Sequence, residues 1–269
     1  MDLAAHVPPP PLFFAGAVGG PASVFTLTPL RNAVTLGAQD QLSSVRQIYR
    51  RVFATGGWTG GRATIGPASV QSIAVGPMYH FWAKVFGSNY AATVLVGFTE
   101  TLITYGSQTR NAQLAYNVTV QADKQVKPTH ALRPWGPGAS FHVMRNVSGM
   151  LGLRVIAEPT QEALRSLHAR MGWAAPSSRL PGDFLACSFS SAVSTVPALL
   201  HYFAVTSGEY ASASWSGRLT LACAFLSRQY VNGGRRLMFR DVALRTLYGA
   251  SIWTCIGAIE RACVQHWPL

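Results

Sequence analysis

Long apolar stretches, separated by polar and basic segments, make up most of the chain. Residues 12–30 contain no charged side chain, and a helix needs about 20 such residues to cross the hydrocarbon core of a bilayer. Five further stretches have a similar character: 64–83, 89–109, 134–153, 184–205 and 246–259. The pattern therefore predicts an all-α membrane protein with six transmembrane helices.

The first stretch combines a small-residue spacing with a helix-breaking position. Gly16 and Gly20 lie about one helical turn apart, a spacing that lets two helix backbones approach closely in lipid. Pro29 follows them. Because its ring removes an amide donor and clashes with the preceding turn, the helix is expected to kink or break there.

An amphipathic segment and a glycine-rich turn follow the first stretch. The segment carries bases on one face and apolar side chains on the other, which are Val45, Ile48, Tyr49, Val52 and Phe53. This pattern predicts a short helix lying at the membrane surface. The glycine-rich turn at 56–60 then leads into the second apolar stretch.

The same arrangement of helix, break, surface helix, glycine turn and helix recurs in two weaker copies. Pro29 corresponds to Tyr105 and Pro197, and the further glycine turns lie at 135–138 and 233–234. Such recurrence is the signature of an internal repeat. We therefore predict one integral membrane domain with a short surface helix in each repeat. Its parts are a Pro-rich N-terminal arm and three pseudo-repeats, at 1–11, 12–88, 89–180 and 181–269.

Composition supports a membrane protein and argues against other classes. Of the 269 residues, 49% are hydrophobic and 12% are charged, against about 25% charged in soluble domains. The net charge of +12 comes from dispersed bases, so anionic lipid is a better expected partner than nucleic acid. The four cysteines are predicted to be free thiols, and His80, His142 and His201 to be core histidines rather than metal ligands.

Three segments, together with the six predicted spans, resemble the mitochondrial carrier family. They are FFAGAVGGPASVFTLTP, YRRVFATGGWTGG and FRDVALRTLYGASIWTCIGAIERA, in that order along the chain. The resemblance covers most of the sequence. It implies a six-helix, pseudo-threefold bundle in the mitochondrial inner membrane. It also implies bound cardiolipin at the glycine turns, with Trp58, Gly60 and Gly138 as the candidate residues.

The resemblance locates one gate of the family on the odd-numbered helices, which carry P-x-[DE]-x-x-[KR]. The acids and bases of this motif pair around the pore and close one side. The corresponding residues here are Pro29, Arg31 and Val34, then Tyr105, Ser107 and Arg110, then Pro197, Leu199 and Tyr202. Arg110 alone keeps the expected charge, so no ring of ion pairs is predicted.

The opposite gate of the family uses [FY]-[DE]-x-x-[RK] on the even-numbered helices. Tyr79 keeps the aromatic position, and the acid positions are occupied by His80, Glu158 and Glu260. No base stands three residues after any of these positions. Neither gate is therefore expected to form its ion-pair ring, and a transport cycle of the usual type is not predicted.

Arg145 is the residue that best fits a family function. Arg145 and Asn146 match the position where carriers of keto acids contact their substrate, and Tyr248 is the neutral counterpart in the third repeat. An arginine inside a membrane is costly unless it is paired, so a functional role is the default hypothesis. The alternative is that Arg145 pairs with Glu100 inside the bundle.

Two functions from different classes follow from these observations. The first is a non-transporting accessory subunit of a large inner-membrane complex, such as a respiratory-chain complex or ATP synthase. The second is a divergent carrier that exchanges a small anionic metabolite of the keto acid class. No nucleophile–base pair indicates an enzyme, and no cofactor is expected apart from bound cardiolipin.

Overall fold

Helices account for nearly all of the structure. The computed structural model of the protein describes residues 7–39, 43–62, 65–119, 121–232 and 234–267. Across these ranges the elements are α-helices with short π-helical and 3₁₀ segments, and no β-strand occurs. The all-α prediction is confirmed.

The α-helices are numbered in chain order. They are α1 (Pro10–Phe14), α2 (Gly20–Thr26), α3 (Thr28–Gln39), α4 (Val45–Ala54), α5 (Ile65–Phe86), α6 (Asn89–Thr119), α7 (Ala139–Leu151), α8 (Ala157–Arg170), α9 (Leu180–Val193), α10 (Thr195–Thr206), α11 (Gly208–Ser212), α12 (Trp215–Leu226) and α13 (Arg235–His266). Short π-helical segments lie at Ala15–Gly19, Gly152–Ile156 and Ser227–Asn232.

The first helix begins inside the segment that the sequence predicts to be an extended arm. α1 starts at Pro10, and Pro9 is its N-cap in an extended conformation. A proline is tolerated at this point because the first amides of a helix have no intrahelical partner. The arm prediction is therefore wrong for residues 10 and 11, and residues 1–6 lie outside the described part of the chain.

Prolines break two of the long helical segments. The chain bends by 59° between α2 and α3, and Pro29 lies in the first turn of α3. A second bend of 45° separates α9 from α10, where Pro197 takes the same place. α6 runs through Tyr105 without a break, because tyrosine keeps its amide donor and has no ring clash with the preceding turn. The prediction that the helix breaks in every repeat is therefore wrong for the second repeat.

The described helices pack as a ring of six rods. Rod 1 comprises α1 to α3, rod 2 is α5, rod 3 is α6, rod 4 comprises α7 and α8, rod 5 comprises α9 and α10, and rod 6 is α13. Each rod packs against the next one in the chain, and rod 6 packs against rod 1. The ring is therefore closed, and each rod has one side facing its interior.

Close backbone contact fixes the antiparallel packing of rods 1 and 2. A Cβ on Gly16 would lie 2.5 Å from the carbonyl oxygen of Ser72, and a Cβ on Gly20 would overlap the Ser72 side chain. Gly76, further along rod 2, lies beside the carbonyl of Leu12 near the start of rod 1. Gly16 and Gly20 therefore allow rods 1 and 2 to pack closely, as the small-residue spacing predicts.

The surface helix of the first repeat forms where it is predicted. Its apolar side chains Ile48 and Val52 are buried against Ala33 and Leu244 of the ring. Phe53 is 56% exposed, however. Because the apolar face packs on protein rather than facing outward, α4 is held by the ring itself.

A capping box fixes the start of α4. The Ser44 hydroxyl accepts from the amide of Gln47, and the Gln47 side chain accepts from the amide of Ser44. We expect Ser44→Ala to lower the free energy of unfolding in detergent by about 1 kcal/mol. Ser69→Ala is the matched control, because that hydroxyl bonds only to the carbonyl of Ile65 in its own helix; its effect should be near zero. Equal effects of the two substitutions would contradict the capping role.

The second repeat has an extended segment in place of a surface helix. After a 3₁₀ turn at Ala122–Lys124, the chain runs without helix up to the start of α7. The Asn117 side chain bonds both the amide and the carbonyl of Val126, at 2.9 and 2.8 Å. The Gln113 side chain accepts from the amide of Thr129 at 2.7 Å. Because these bonds satisfy the backbone of the segment, no helix is needed there, and the prediction of a surface helix in each repeat is wrong.

Two predicted stretches differ in length from the helices that contain them. The stretch 246–259 is the middle of α13, which extends it in both directions. α7 begins at Ala139 instead of residue 134, since Gly138 has a φ of 78° and starts the helix as its N-cap. Glycine adopts this left-handed conformation without the steric cost that other residues meet.

One described helix, α13, is long and apolar enough by itself to cross a membrane. Rods 1 and 5 also qualify if each bent pair of helices is counted as one span, so the described residues supply between one and three candidate spans. The prediction of six spans is not confirmed by this criterion, and it remains a prediction.

Candidate functional site

The interior of the ring holds the residues that the sequence singles out. The first end is where rods 1, 3 and 5 begin, and the second end is where they finish. Three groups of side chains lie in the interior: a bridge toward the first end, a cluster at the second end and a polar network between them.

The central network surrounds Arg145 of rod 4. Its guanidinium donates to the side-chain oxygens of Gln108 and Asn146, at 2.7 and 2.9 Å, and to Nε2 of His142 at 2.7 Å. Asn146 in turn donates to the hydroxyl of Thr101 at 3.2 Å. Arg145 and Asn146 are therefore brought together as predicted, and they link rod 4 to rod 3.

Arg145 does not pair with Glu100. Within the described ranges, Arg145 takes part in no ion pair. Glu100 is fully buried and accepts from Gln71 and, at 3.3 Å, from Thr104. The hypothesis that Arg145 forms an ion pair with Glu100 is therefore wrong. Side-chain acceptors of Gln108, Asn146 and His142 contact the Arg145 guanidinium instead.

A second arginine, Arg245 of rod 6, also lies in the site. It lines an interior cavity together with Tyr202, and its Nε donates to the Ser194 hydroxyl at 3.4 Å. Tyr248, the predicted counterpart in the third repeat, lies about one turn after Arg245 in α13 and is half-buried. In the sequence, Arg245 is a single base in an apolar helical turn. That pattern does not indicate whether its side chain faces the ring interior.

Apolar side chains from the degenerate gate positions meet at the second end. Val34, Leu199 and Tyr202 line a cavity of about 20 Å³, which is room for about one water molecule. The hydroxyls of Tyr202 and Thr35 lie 3.5 Å apart, joining rod 5 to rod 1. These residues form the second-end cluster. The fold therefore brings three of the predicted gate positions together, and none of the three is charged.

The second repeat contributes Tyr105 to the same end. Its side chain is 1% exposed, and its hydroxyl donates to the carbonyl of Pro137 at 2.7 Å. Its ring packs against His201, with centroids 6.1 Å apart, and His201 packs against His142 at 4.7 Å. Rods 3, 4 and 5 are thereby joined. Both histidines are buried, and no cluster of metal-binding side chains occurs among the residues that the structure describes.

The remaining gate positions have structural or solvent-facing places. Pro29 and Pro197 are buried at the bends, and Arg31 is half-buried. The Ser107 hydroxyl donates to a carbonyl of its own helix, and Arg110 is exposed. The one gate charge that the sequence retains is thus directed away from the second-end cluster.

We expect Tyr105→Phe to lower the free energy of unfolding by about 1 kcal/mol, because it removes a buried hydrogen bond while keeping the ring. Tyr90→Phe provides the matched control, since Tyr90 is 65% exposed. Chemical denaturation in detergent would measure both. A Tyr105 effect no larger than that of Tyr90 would show that the contact with Pro137 does not hold the second end.

An ion pair across the ring forms the first-end bridge. Both guanidinium nitrogens of Arg154 lie 2.7 Å from the two carboxylate oxygens of Glu260. The Arg154 guanidinium also stacks on the ring of Tyr79, 4.5 Å from its centroid. Rods 2, 4 and 6 are therefore joined through these three residues. Glu260 thus has a basic partner although no base stands at the motif position; a single pair is not the ring of ion pairs that the sequence predicts to be absent.

Arg154, the partner of Glu260, lies outside the family motif, in a π-helical segment of rod 4. Arg154 lies within Gly152–Ile156, and a π turn changes the direction in which the following side chains point. Spacing rules for α-helices could not find this residue. Glu158, the acid at the motif position in rod 4, instead forms a surface ion pair with Arg179.

A buried ion pair within rod 6 includes an arginine that also contacts the end of rod 1. Arg240 contacts the carboxylate of Asp241 at 2.8 Å and donates to the carbonyls of Gly37 and Ser43, at 2.7 and 3.1 Å. Gln229 donates to the other oxygen of Asp241 at 3.2 Å. Asp241 is therefore neutralised within the protein.

The predicted lipid-binding residues differ in exposure. Trp58 is 48% exposed and Gly60 is also exposed, in a turn whose carbonyls at Gly57 and Thr59 accept from Asn32. Gly138 is buried, and its carbonyl accepts from His201 at 3.2 Å. Of the predicted positions, the first turn is the one open to a lipid headgroup.

No protein-family model matches the chain, and no curated protein matches it. The resemblance to mitochondrial carriers therefore depends on the motifs and their order in the sequence. The function has to be argued from the interior of the ring.

Proposed function

We propose that the protein is a divergent carrier-fold membrane protein that no longer transports, and that it serves as an accessory subunit of a large inner-membrane complex. A respiratory-chain complex or ATP synthase is the kind of assembly that we infer. One observation carries the proposal: both ends of the ring are bridged at the same time, and the hydrogen-bonded network around Arg145 lies between them.

The carrier part of the proposal is supported by the arrangement of the described helices. They form a closed ring of antiparallel rods, with proline bends in rods 1 and 5. Glycines with positive φ, Gly60, Gly138 and Gly234, precede rods 2, 4 and 6. In this proposal each rod is one transmembrane span, and the exposed turn at Trp58 and Gly60 contacts cardiolipin.

The loss of transport is argued from the energetics of alternating access. A carrier must open one end while the other end closes, and moving such an equilibrium from 1:99 to 99:1 takes about 5.5 kcal/mol of differential interaction. Opening the first end would break the ion pair between Arg154 and Glu260. At the second end Val34, Leu199 and Tyr202 are uncharged. Asp241, which lines the same cavity, is already paired with Arg240, so it offers no new ion pair in exchange. The closed bundle is therefore the favoured state.

Native gel electrophoresis of membranes that contain the tagged chain tests the proposed role. We expect the chain, whose mass is 28.9 kDa, to co-migrate with a much larger species after mild detergent extraction. It should separate from that species only under conditions that dissociate the complex. Migration of the chain by itself after mild extraction would contradict an accessory role.

A second function, exchange of a small anion, is favoured by one specific observation. Arg145 and Arg245 both lie in the ring interior, and neither forms an ion pair within the described ranges. Two such cations would attract a carboxylate of the keto acid class. This function requires saturable uptake that Arg145→Ala abolishes.

A further inference from the structure

α12 packs on the ring with its inner side and carries large exposed apolar side chains, beside the neutral polar residues Ser216 and Thr220, on its outer side. On its inner side Ala222 is buried, and the Phe225 ring stacks on Phe203 of rod 5 with centroids 4.5 Å apart. The inner contacts therefore fix α12 on the ring.

The outer side of α12 carries a row of exposed apolar residues, which we name the docking face. It consists of Trp215, Leu219 and Cys223, spaced about one turn apart, with Val231 in the π-helical segment that follows. Trp215 is 80% exposed, Leu219 55% and Val231 75%. Within the described chain, nothing covers these side chains.

α4 shows how the same chain builds a surface helix that faces water. Both helices follow the second half of a bent rod, since α4 packs on α3 and α12 packs on α10. The outer residues of α4 are mostly polar and exposed, namely Arg46, Gln47 and Arg50, with Phe53 as its one large exposed apolar side chain. The apolar outer side of α12 therefore indicates a cover that α4 does not have.

A protein fits this cover better than a lipid surface does. A helix lying on a membrane keeps a polar face in water, whereas the single charge of α12, Arg218, folds back onto the carbonyls of Tyr210 and Ala211, at 3.1 and 2.9 Å. No charged face is thus left for the water side. The exposed polar residues of α12, Ser216 and Thr220, are neutral.

The charges beside the docking face indicate the chemistry of the partner. Arg228 lies in the π-helical segment with Val231, and Arg235 and Arg236 begin α13, which packs on that segment. All three arginines are exposed, and none forms an ion pair within the described ranges. Carboxylates on the partner would complement them.

We propose that the docking face binds a helix of another subunit, one that presents an apolar ridge flanked by carboxylates. This inference rests on the proposed accessory role and names the surface through which that role is exercised. Trp215 and Leu219 would be buried in the middle of the contact, where a few large side chains supply most of the binding energy.

Leu219→Asp in the tagged full chain, compared on native gels with the unsubstituted chain, tests the docking face. The ratio of complex-bound to free chain should fall about 30-fold, the effect of losing one central contact residue. Arg46→Asp, on the outer side of α4 and outside its capping box, is the control and should leave the ratio unchanged. Unfolding in detergent should be the same for both variants, because both positions face outward.

The outcomes separate this inference from the proposed function. If the unsubstituted chain migrates alone, the accessory role fails and the docking face fails with it. If the unsubstituted chain co-migrates with a large species and Leu219→Asp does so equally, the accessory role stands and the docking face is wrong.

Labelling and cross-linking at Cys223 distinguish the possible covers. A membrane-impermeant maleimide should label Cys223 in vesicles that contain the purified chain alone, and protection there would assign the face to the lipid and overturn the proposal. A cross-linker attached to Cys223 in the intact assembly should join it to a different subunit, at a peptide with apolar and acidic residues. Cross-linking to a second copy of the chain would also overturn the proposal.

Discussion

Replacing Glu260 with alanine is expected to lower the free energy of unfolding by about 3–5 kcal/mol, because it leaves the Arg154 charge buried without a partner. The side chains of Arg154 and Glu260 are only 10% and 11% exposed. Their contact joins rods that are not neighbours in the ring. The loss should therefore appear as an early unfolding transition of the purified chain in detergent.

The exposed ion pair between Glu158 and Arg179 is the matched control for Glu260. Those side chains are 59% and 39% exposed, so Glu158→Ala should cost between about 0 and 1 kcal/mol. Replacing both Arg154 with methionine and Glu260 with leucine should recover most of the loss, since no buried charge remains. An equal effect of the Glu158 and Glu260 substitutions would remove the first-end bridge as a stabilising contact.

Arg240→Met is expected to have an effect of similar size, about 3–5 kcal/mol, because it leaves Asp241 buried and unpaired. The same substitution removes the donors that hold the carbonyls of Gly37 and Ser43. Rod 1 would lose its link to rod 6 at the second end. Thermal unfolding followed by circular dichroism in detergent would measure the change.

Arg236→Met controls for the loss of a positive charge at the start of α13. Arg236 is exposed, and removing it should change the free energy of unfolding by less than about 0.5 kcal/mol. If Arg236→Met destabilised the protein as much as Arg240→Met, the effect would belong to net charge, and the buried pair would not be its cause.

Helix positions could be predicted because they depend on local rules. Charge-free runs marked most of the helical rods, and the absence of an amide donor placed the bends beside Pro29 and Pro197. Tyr105 has neither property, so extending the rule to it by analogy with the repeats predicted a break that is not there. The ends of the long helices could not be predicted as well. α13, for example, extends beyond the predicted stretch 246–259 in both directions.

The contacts inside the ring could not be predicted in the same way. Arg154 sits on a π turn, which α-helical spacing does not anticipate. Whether Arg145 meets Glu100 or Gln108 depends on how two rods are rotated against each other, and a linear pattern does not contain that rotation. The rotation of the rods also decides that Arg110 faces outward and Arg245 faces inward.

The two ends of the ring differ in how they are held. An ion pair and an aromatic ring close the first end, while apolar contacts, the Tyr105 hydrogen bond and the contacts of Arg240 close the second. In the function that we propose, these contacts act together to make a rigid bundle, and the outer side of α12 is the part that meets a neighbour. The charges of Arg145 and Arg245 in the ring interior favour the alternative function, which is exchange of a small anion.

Exchange of a labelled keto acid into vesicles that contain the purified chain is the most direct measurement. The vesicles should be preloaded with the same unlabelled compound, and vesicles without protein serve as the reference. A non-transporting bundle predicts uptake no greater than in the protein-free vesicles. Saturable uptake by the unsubstituted chain, abolished by Arg145→Ala, would contradict it and establish the protein as a carrier.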